Sequence, residues 1–274
     1  GDYVFASCSG LKTVTIPNSV TTIGDYVFAS CSGLKTVTIP NAMTSIGRNA
    51  FYGCTGLTEV TIPNAVTSIG INAFYGCTGL TEVTIPNSVT TIGERAFYRC
   101  TGLQTVIWNA RNAEYYNGLS YDSPFSNCDR LTDFVFGEEV EHIPAYLCRE
   151  LTLLNTIVIP NSVTSIGTNA FSFCRGLTKV SIPNSVKTIE FRAFEGCTGL
   201  KTVTIGNSVT TIGESAFYSC TSLTEVSIPN SVTSIGSGAF EDCSGLKTVT
   251  IGNSVTTIGE SAFYSCTSLT EVSI

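Results

Sequence analysis

LTEVTIPNAVTSIGINAFYGCTG, residues 57–79, is one turn of a pattern that returns every 23 residues along the chain. Its leucine recurs at Leu11, Leu34, Leu57, Leu80, Leu103, Leu131, Leu154, Leu177, Leu200, Leu223, Leu246 and Leu269. A fixed period in the twenties, with one strand-like segment per unit, marks a solenoid whose coils pack only on their neighbours. Within a unit, Val14-Thr15-Ile16 alternates apolar and polar and is β-branched throughout, which suits a strand with Val14 and Ile16 inward. Pro17-Asn18 ends the strand, because proline donates nothing to a ladder and asparagine suits a turn. Val20 and Ile23 add inward contacts before a bend at Gly24. The stretch from Gly47 to Cys54 is too short for a full helix and reads as one helical or 3₁₀ turn. The expected fold is a repeat solenoid of leucine-rich-repeat type, with one parallel β-sheet and short 3₁₀ or turn segments on the opposite side. It is expected to be a single solenoid over 1–274, of about 11–12 coils with strands about 4.8 Å apart, roughly 50 Å long.

The chain has 274 residues, of which 43% are hydrophobic and only 13% charged. Threonine, serine and asparagine fill the exposed positions where lysine and glutamate are usual. A net charge of −7 disfavours nucleic acid and anionic membrane surfaces as partners. The sequence starts inside one unit and stops on a strand without polar caps. It therefore reads as an uncapped fragment of a longer protein, with end-to-end association through the open coils as an expectation.

Of the 12 cysteines, Cys8, Cys31, Cys54, Cys77, Cys100, Cys128, Cys174, Cys197, Cys220, Cys243 and Cys266 recur at one inward position. Cys148 falls instead in the phenylalanine column, and Leu151 takes the vacant cysteine slot. A column of buried thiols acting as small hydrophobes explains this better than disulfides. No C-x-x-C pair supports zinc, and neither a metal nor a cofactor is expected.

Two features break the regularity. Residues 201–228 and 247–274 are identical, and 1–23 nearly match 24–46, which points to recent duplication or to engineering. The interval from Cys100 to Cys128 is 28 residues, so one irregular coil, 104–131, holds five extra residues. That coil carries Trp108, Arg111, Tyr115, Tyr116, Tyr121 and Phe125, and has Asn109-Ala110 in place of the Pro-Asn turn. The extra loop is expected to leave the strand just after Trp108, which itself takes the slot of an inward isoleucine.

The words I-P-N-S-V-T-S-I-G and N-A-F-Y-G-C-T-G-L-T-E-V-T-I-P resemble those of the BspA-like leucine-rich repeat family, over practically the whole chain. Members are typically surface or secreted proteins, so the resemblance implies an extracellular or cell-surface location. It also implies a non-enzymatic, adhesin-like role in binding a host or cell-surface protein.

On the outer sheet face, one column reads Thr15, Thr38, Thr61, Thr84, Ile107, Val135, Val158, Ser181, Thr204, Ser227, Thr250 and Ser273. The three aliphatic members, Ile107, Val135 and Val158, interrupt a row of hydroxyls, and a contiguous apolar stripe calls for a cover or a partner. Either loop 109–127 folds back so that its tyrosines cover the stripe, or the stripe is a docking spot. In the second case Arg111, Tyr115, Tyr116 and Tyr121 serve as anchors. Thr-x-Thr pairs such as Thr13/Thr15 and Thr202/Thr204 resemble ice-binding surfaces, although charged residues in the neighbouring column interrupt them. A purely structural stalk is the other alternative. An enzyme is disfavoured: the single histidine, His142, sits in an acidic run and points outward, and no phosphate-cradling loop follows a strand.

Overall fold

The computed structural model of the chain describes residues 1–116 and 122–274, with the backbone alone at Tyr115 and Tyr116. Its residues group into two compact units, Gly1–Gly137 and Glu138–Ile274. Each is a solenoid of parallel strands, without a helix among the described residues.

The apolar–polar alternation produces the outer ladder. In the first unit it comprises Thr13–Thr15 paired with Thr36–Thr38, and Glu82–Ile85, Thr105–Trp108 and Asp133–Phe136 paired in turn. In the second, Lys179–Ser181, Thr202–Thr204, Glu225–Ile228, Thr248–Ile251 and Glu271–Ser273 form one five-stranded sheet. Residues pair with their equivalents one repeat away, as in Val226↔Val249 and Ile228↔Ile251, so each strand keeps the same face inward.

A second row of strands stands where the sequence suggested only inward contacts. Thr22–Ile23, Ser45–Ile46, Ser68–Ile69, Thr91–Gly93 and Glu114–Tyr116 form it in the first unit. Six strands from His142–Ile143 to Thr257–Ile258 form it in the second. Most of these strands are brief because the chain bends at a glycine packed tightly against the preceding coil, whereas Pro144 and Glu190 take that slot after Ile143 and Ile189. A Cβ on Gly70 would lie 2.7 Å from the backbone of the preceding coil at Arg48. Just before seven of these eleven strands, a threonine hydroxyl donates to the coil below, as Thr67 does to the Thr44 carbonyl at 3.2 Å. Thr233 repeats this on Thr210 at 3.2 Å. Part of the threonine excess is thereby accounted for: these hydroxyls satisfy stacked carbonyls, a task for which charge is not needed.

The segment expected to form one helical or 3₁₀ turn is a third ladder built from turns. Two residues per coil adopt left-handed backbone, for instance Asn49 (φ 54°) with Gly53 (φ 67°), and Asn72 (φ 55°) with Gly76 (φ 69°). This alternation directs every other N–H along the stack. Asn49, Phe51 and Gly53 donate to the carbonyls of Ile71, Ala73 and Tyr75 in the next coil, at 3.0, 2.7 and 2.7 Å. The amides between them close local turns, such as Cys54 N–H to the Phe51 carbonyl at 3.2 Å. A continuous helix would spend all these donors within its own coil, and the stack would lose a ladder.

Between the ladders lies the core. Phe51, Phe74 and Phe97 are fully buried, with ring centres 5.1 and 4.9 Å apart and nearly parallel. Phe171, Phe194, Phe217 and Phe240 repeat the stack at 5.2–5.3 Å in the second unit. All 12 cysteines are free thiols, and all except Cys8 are buried. Each buried thiol except Cys148 has a donor's task as well as a packing one. Cys54 Sγ donates to the Phe28 carbonyl at 3.1 Å, and Cys197 Sγ to the Phe171 carbonyl at 3.1 Å. The Cys148–Leu151 exchange is as expected: Cys148 N–H donates to Ala170, as Phe171 N–H does to Ala193, and Leu151 fills the thiol slot. Burial pushes the Cys54 and Cys174 thiols up to about 12, because a thiolate there would lose its hydration.

Candidate recognition surface

The irregular coil keeps the repeat's register further than its sequence suggested. Glu114, Tyr115 and Tyr116 pair with Thr91, Ile92 and Gly93 in the inner row of strands, one period on. Asn109-Ala110 therefore occupies the ordinary Pro-Asn slots. Register resumes at Phe125, whose ring stacks on Phe97 at 5.3 Å. The five extra residues thus enter after Tyr116, not after Trp108 as expected. This also corrects the covering-loop reading at Tyr115 and Tyr116, whose backbone runs in the inner row and not back across the outer sheet. Their side chains, and Tyr121 as a whole, lie outside the described residues.

Trp108 is fully buried in the isoleucine slot, as expected. Around it the valine and isoleucine columns are enlarged to Phe134 and Phe136, and Phe134 meets Phe125 edge-on at 5.6 Å. A heavier aromatic core therefore lies beneath the outer face of this coil.

On that face Ile107 and Val135 are register partners, Ile107 half-buried and Val135 50% exposed. In the second unit Val158 is 79% exposed. Nothing among the described residues covers the two valines. Arg111 is exposed and already engaged in an interaction within the chain. His142 points outward in the inner row, half-buried, with Nδ1 2.6 Å from Ser165 Oγ on the next strand. It replaces a hydroxyl of that column and takes up the same kind of inter-coil contact.

One feature went unnoticed in the sequence. Where the outer strands of the second unit end, a groove of about 1000 Å³ runs along the stack, edged by Thr204, Ser227, Thr250, Asn207, Asn230 and Asn253. Among its asparagines, Asn230 is fixed by the stack itself, since its Oδ1 accepts the Asn253 N–H at 2.9 Å. The asparagine that follows each strand was read only as a turn residue, although its column was the available signal. No helix among the described residues is long and apolar enough to cross a membrane, and no cluster of three acidic, histidine or cysteine side chains there could hold a metal ion.

Ladders in strict register, a leucine at each coil's return and a phenylalanine–cysteine interior define a leucine-rich-repeat solenoid. The chain belongs to the BspA-type leucine-rich repeat family, whose model matches residues 1–123, 47–178 and 166–274 in 6 copies. Among solved structures it is similar to a leucine-rich repeat protein from Bacteroides ovatus, at 28% identity over 99% of this chain and 81% of that one, with a TM-score of 0.57. It is also similar to a leucine-rich cell surface protein from Faecalibacterium prausnitzii, at 30% identity over 96% and 87% of the two chains, with a TM-score of 0.44. No curated protein matches the chain.

Proposed function

We propose that this chain is a non-enzymatic recognition module that binds a host or cell-surface protein outside the cell, with anchors on the outer face of its sheets. One observation carries the reading: in a column whose other members, Ile107 apart, are hydroxyl residues, Val135 and Val158 stand 50% and 79% exposed. Solvent-facing valines gain nothing from the fold, whereas a protein partner that removes them from water gains from each. Ile107 is the half-buried neighbour that widens the footing beside Val135. Arg111, exposed three residues beyond that strand, adds a polar contact of a residue type enriched at interfaces.

The test is surface plasmon resonance of the immobilised chain against a panel of purified extracellular-matrix proteins. The native chain is compared with the variants Val135→Thr and Val158→Thr, which restore the hydroxyl column. For a matrix protein that binds, each substitution should weaken the complex by about tenfold, or about 1.4 kcal/mol. Unchanged affinity in both variants would remove the valines from the interface. Absence of binding across the panel would favour the second reading, a stalk, for which the identity of 201–228 and 247–274 speaks. A spacer needs only length.

A further inference from the structure

Three consecutive turns in one unit and three in the other carry opposite charge on equivalent columns, whereas the remaining turns mix signs, with Asp2, Asp25 and Asp122 in the first unit and Arg149, Arg175 and Arg192 in the second. In the first unit, the turns 47–55, 70–78 and 93–101 contain Arg48, Arg95 and Arg99. Their one carboxylate, Glu94, is 5% exposed and lies 3.5 Å from the Arg95 guanidinium. In the second unit, the corresponding turns 213–221, 236–244 and 259–267 contain Glu214, Glu241, Asp242 and Glu260, and neither lysine nor arginine. Arg48 follows its glycine as Glu214 and Glu260 follow theirs, and Arg99 precedes its cysteine as Asp242 does.

Both faces are built to present these groups. Tyr52, Tyr75 and Tyr98 stack at 4.7 and 5.0 Å between ring centres, and Arg95 and Arg99 lie 5.3 and 5.5 Å from the centre of Tyr98. Arg95 is further held by Asp122. Arg48 and Arg99 are exposed, and among the described residues no ion pair engages their guanidinium groups. Asp25, beside Arg48, already accepts the Arg48 backbone N–H at 2.8 Å. On the acidic side, Glu214, Glu241 and Glu260 line one shallow depression of about 190 Å³ with Ser215, Ser237 and Ser261. Three like charges around one hollow repel each other, and a guanidinium entering it would relieve that repulsion while offering a planar fork to the carboxylates.

We propose that the chain self-associates head to tail, the arginine–tyrosine turns of 47–101 in one copy seated on the glutamate turns of 213–267 in the next. The occupant follows from charge complementarity, and the stacked tyrosines supply rigid apolar area behind the charges. This does not depend on the recognition reading above, which concerns the outer sheet.

Sedimentation velocity tests it directly. At about 0.01 M salt, where charges act over about 30 Å, the average mass should rise with protein concentration; at about 1 M, with a range near 3 Å, the monomer should remain. Two charge reversals follow: Arg48→Glu with Arg99→Glu, and Glu214→Lys with Glu241→Lys and Glu260→Lys. Each variant alone should stay monomeric at low salt, and an equimolar mixture should form a complex. A native chain that is monomeric at low salt up to about 1 mM would overturn the proposal. So would association that persists at 1 M salt, as apolar end faces would give, or a mixture of the two variants that fails to pair.

Discussion

Phe74→Ala tests the stacked core where it is tightest. Phe74 is fully buried and lies between Phe51 and Phe97, 5.1 and 4.9 Å away, each ring within 6° of parallel. An aromatic side chain buries about 150–250 Å², and at about 25 cal/mol per Å² that corresponds to about 4–6 kcal/mol. Alanine retains part of it, while a cavity remains because the coils above and below are pinned by the inner row of strands and the turn ladder. The expected loss is about 3–5 kcal/mol in urea unfolding followed by circular dichroism. Its location matters as much as its size, since each coil touches only its neighbours. Hydrogen exchange should therefore accelerate at the Phe51, Phe74 and Cys77 amides, which donate to Ala73, Ala96 and Phe74. The equivalent Phe194 and Phe217 amides of the second unit should keep their protection. A loss below about 1 kcal/mol, or protection falling equally in both units, would refute nearest-neighbour stacking.

Ser30 adopts φ 60° in a column where the following coils place Gly53 and Gly76, so Ser30→Gly should stabilise the chain by up to about 1 kcal/mol. An unchanged or lower urea midpoint would show that the left-handed turn is not strained. A second prediction concerns alkali. Burial holds the Cys54 and Cys174 thiols at about 12 and Cys266 at about 11, above the usual value near 8.5 in an unfolded chain. The folded state therefore binds more protons than the unfolded one, and their contribution is complete below about pH 8.5 and lost as pH rises towards 12. Urea midpoints measured from pH 8 to 11 should fall less steeply in a Cys54→Ala, Cys174→Ala variant, and an identical slope would count against the buried-thiol account.

Much of this architecture was legible because inward positions are chemically strict. The valine, isoleucine, phenylalanine and cysteine columns fixed the coil and its register, and even Cys148 and Leu151 could be placed from their exchange of slots. The turn ladder was not legible. Its alternating backbone handedness is carried by Asn49, Arg95, Ser215 and Gly238 alike, residue types with no common side-chain chemistry. The insertion was misplaced because Asn109-Ala110, lacking proline, looked like the start of a loop. Counting on from Leu103 would have set Tyr115 in the slot of Ile92 and moved the extra residues beyond Tyr116. The valine footing was visible as an aliphatic break in a hydroxyl column, whereas its exposure depended on where the loop runs, which no local pattern specified.

The most direct measurement of the central claim, that equivalent side chains of every coil share one interior, is thiol accessibility in the native chain. Brief treatment with a maleimide at neutral pH, followed by peptide mass spectrometry, should label Cys8, the one exposed cysteine, and leave the other eleven unmodified until the chain is unfolded. Labelling scattered along the column without unfolding, or pairs of cysteines recovered as disulfides, would contradict it.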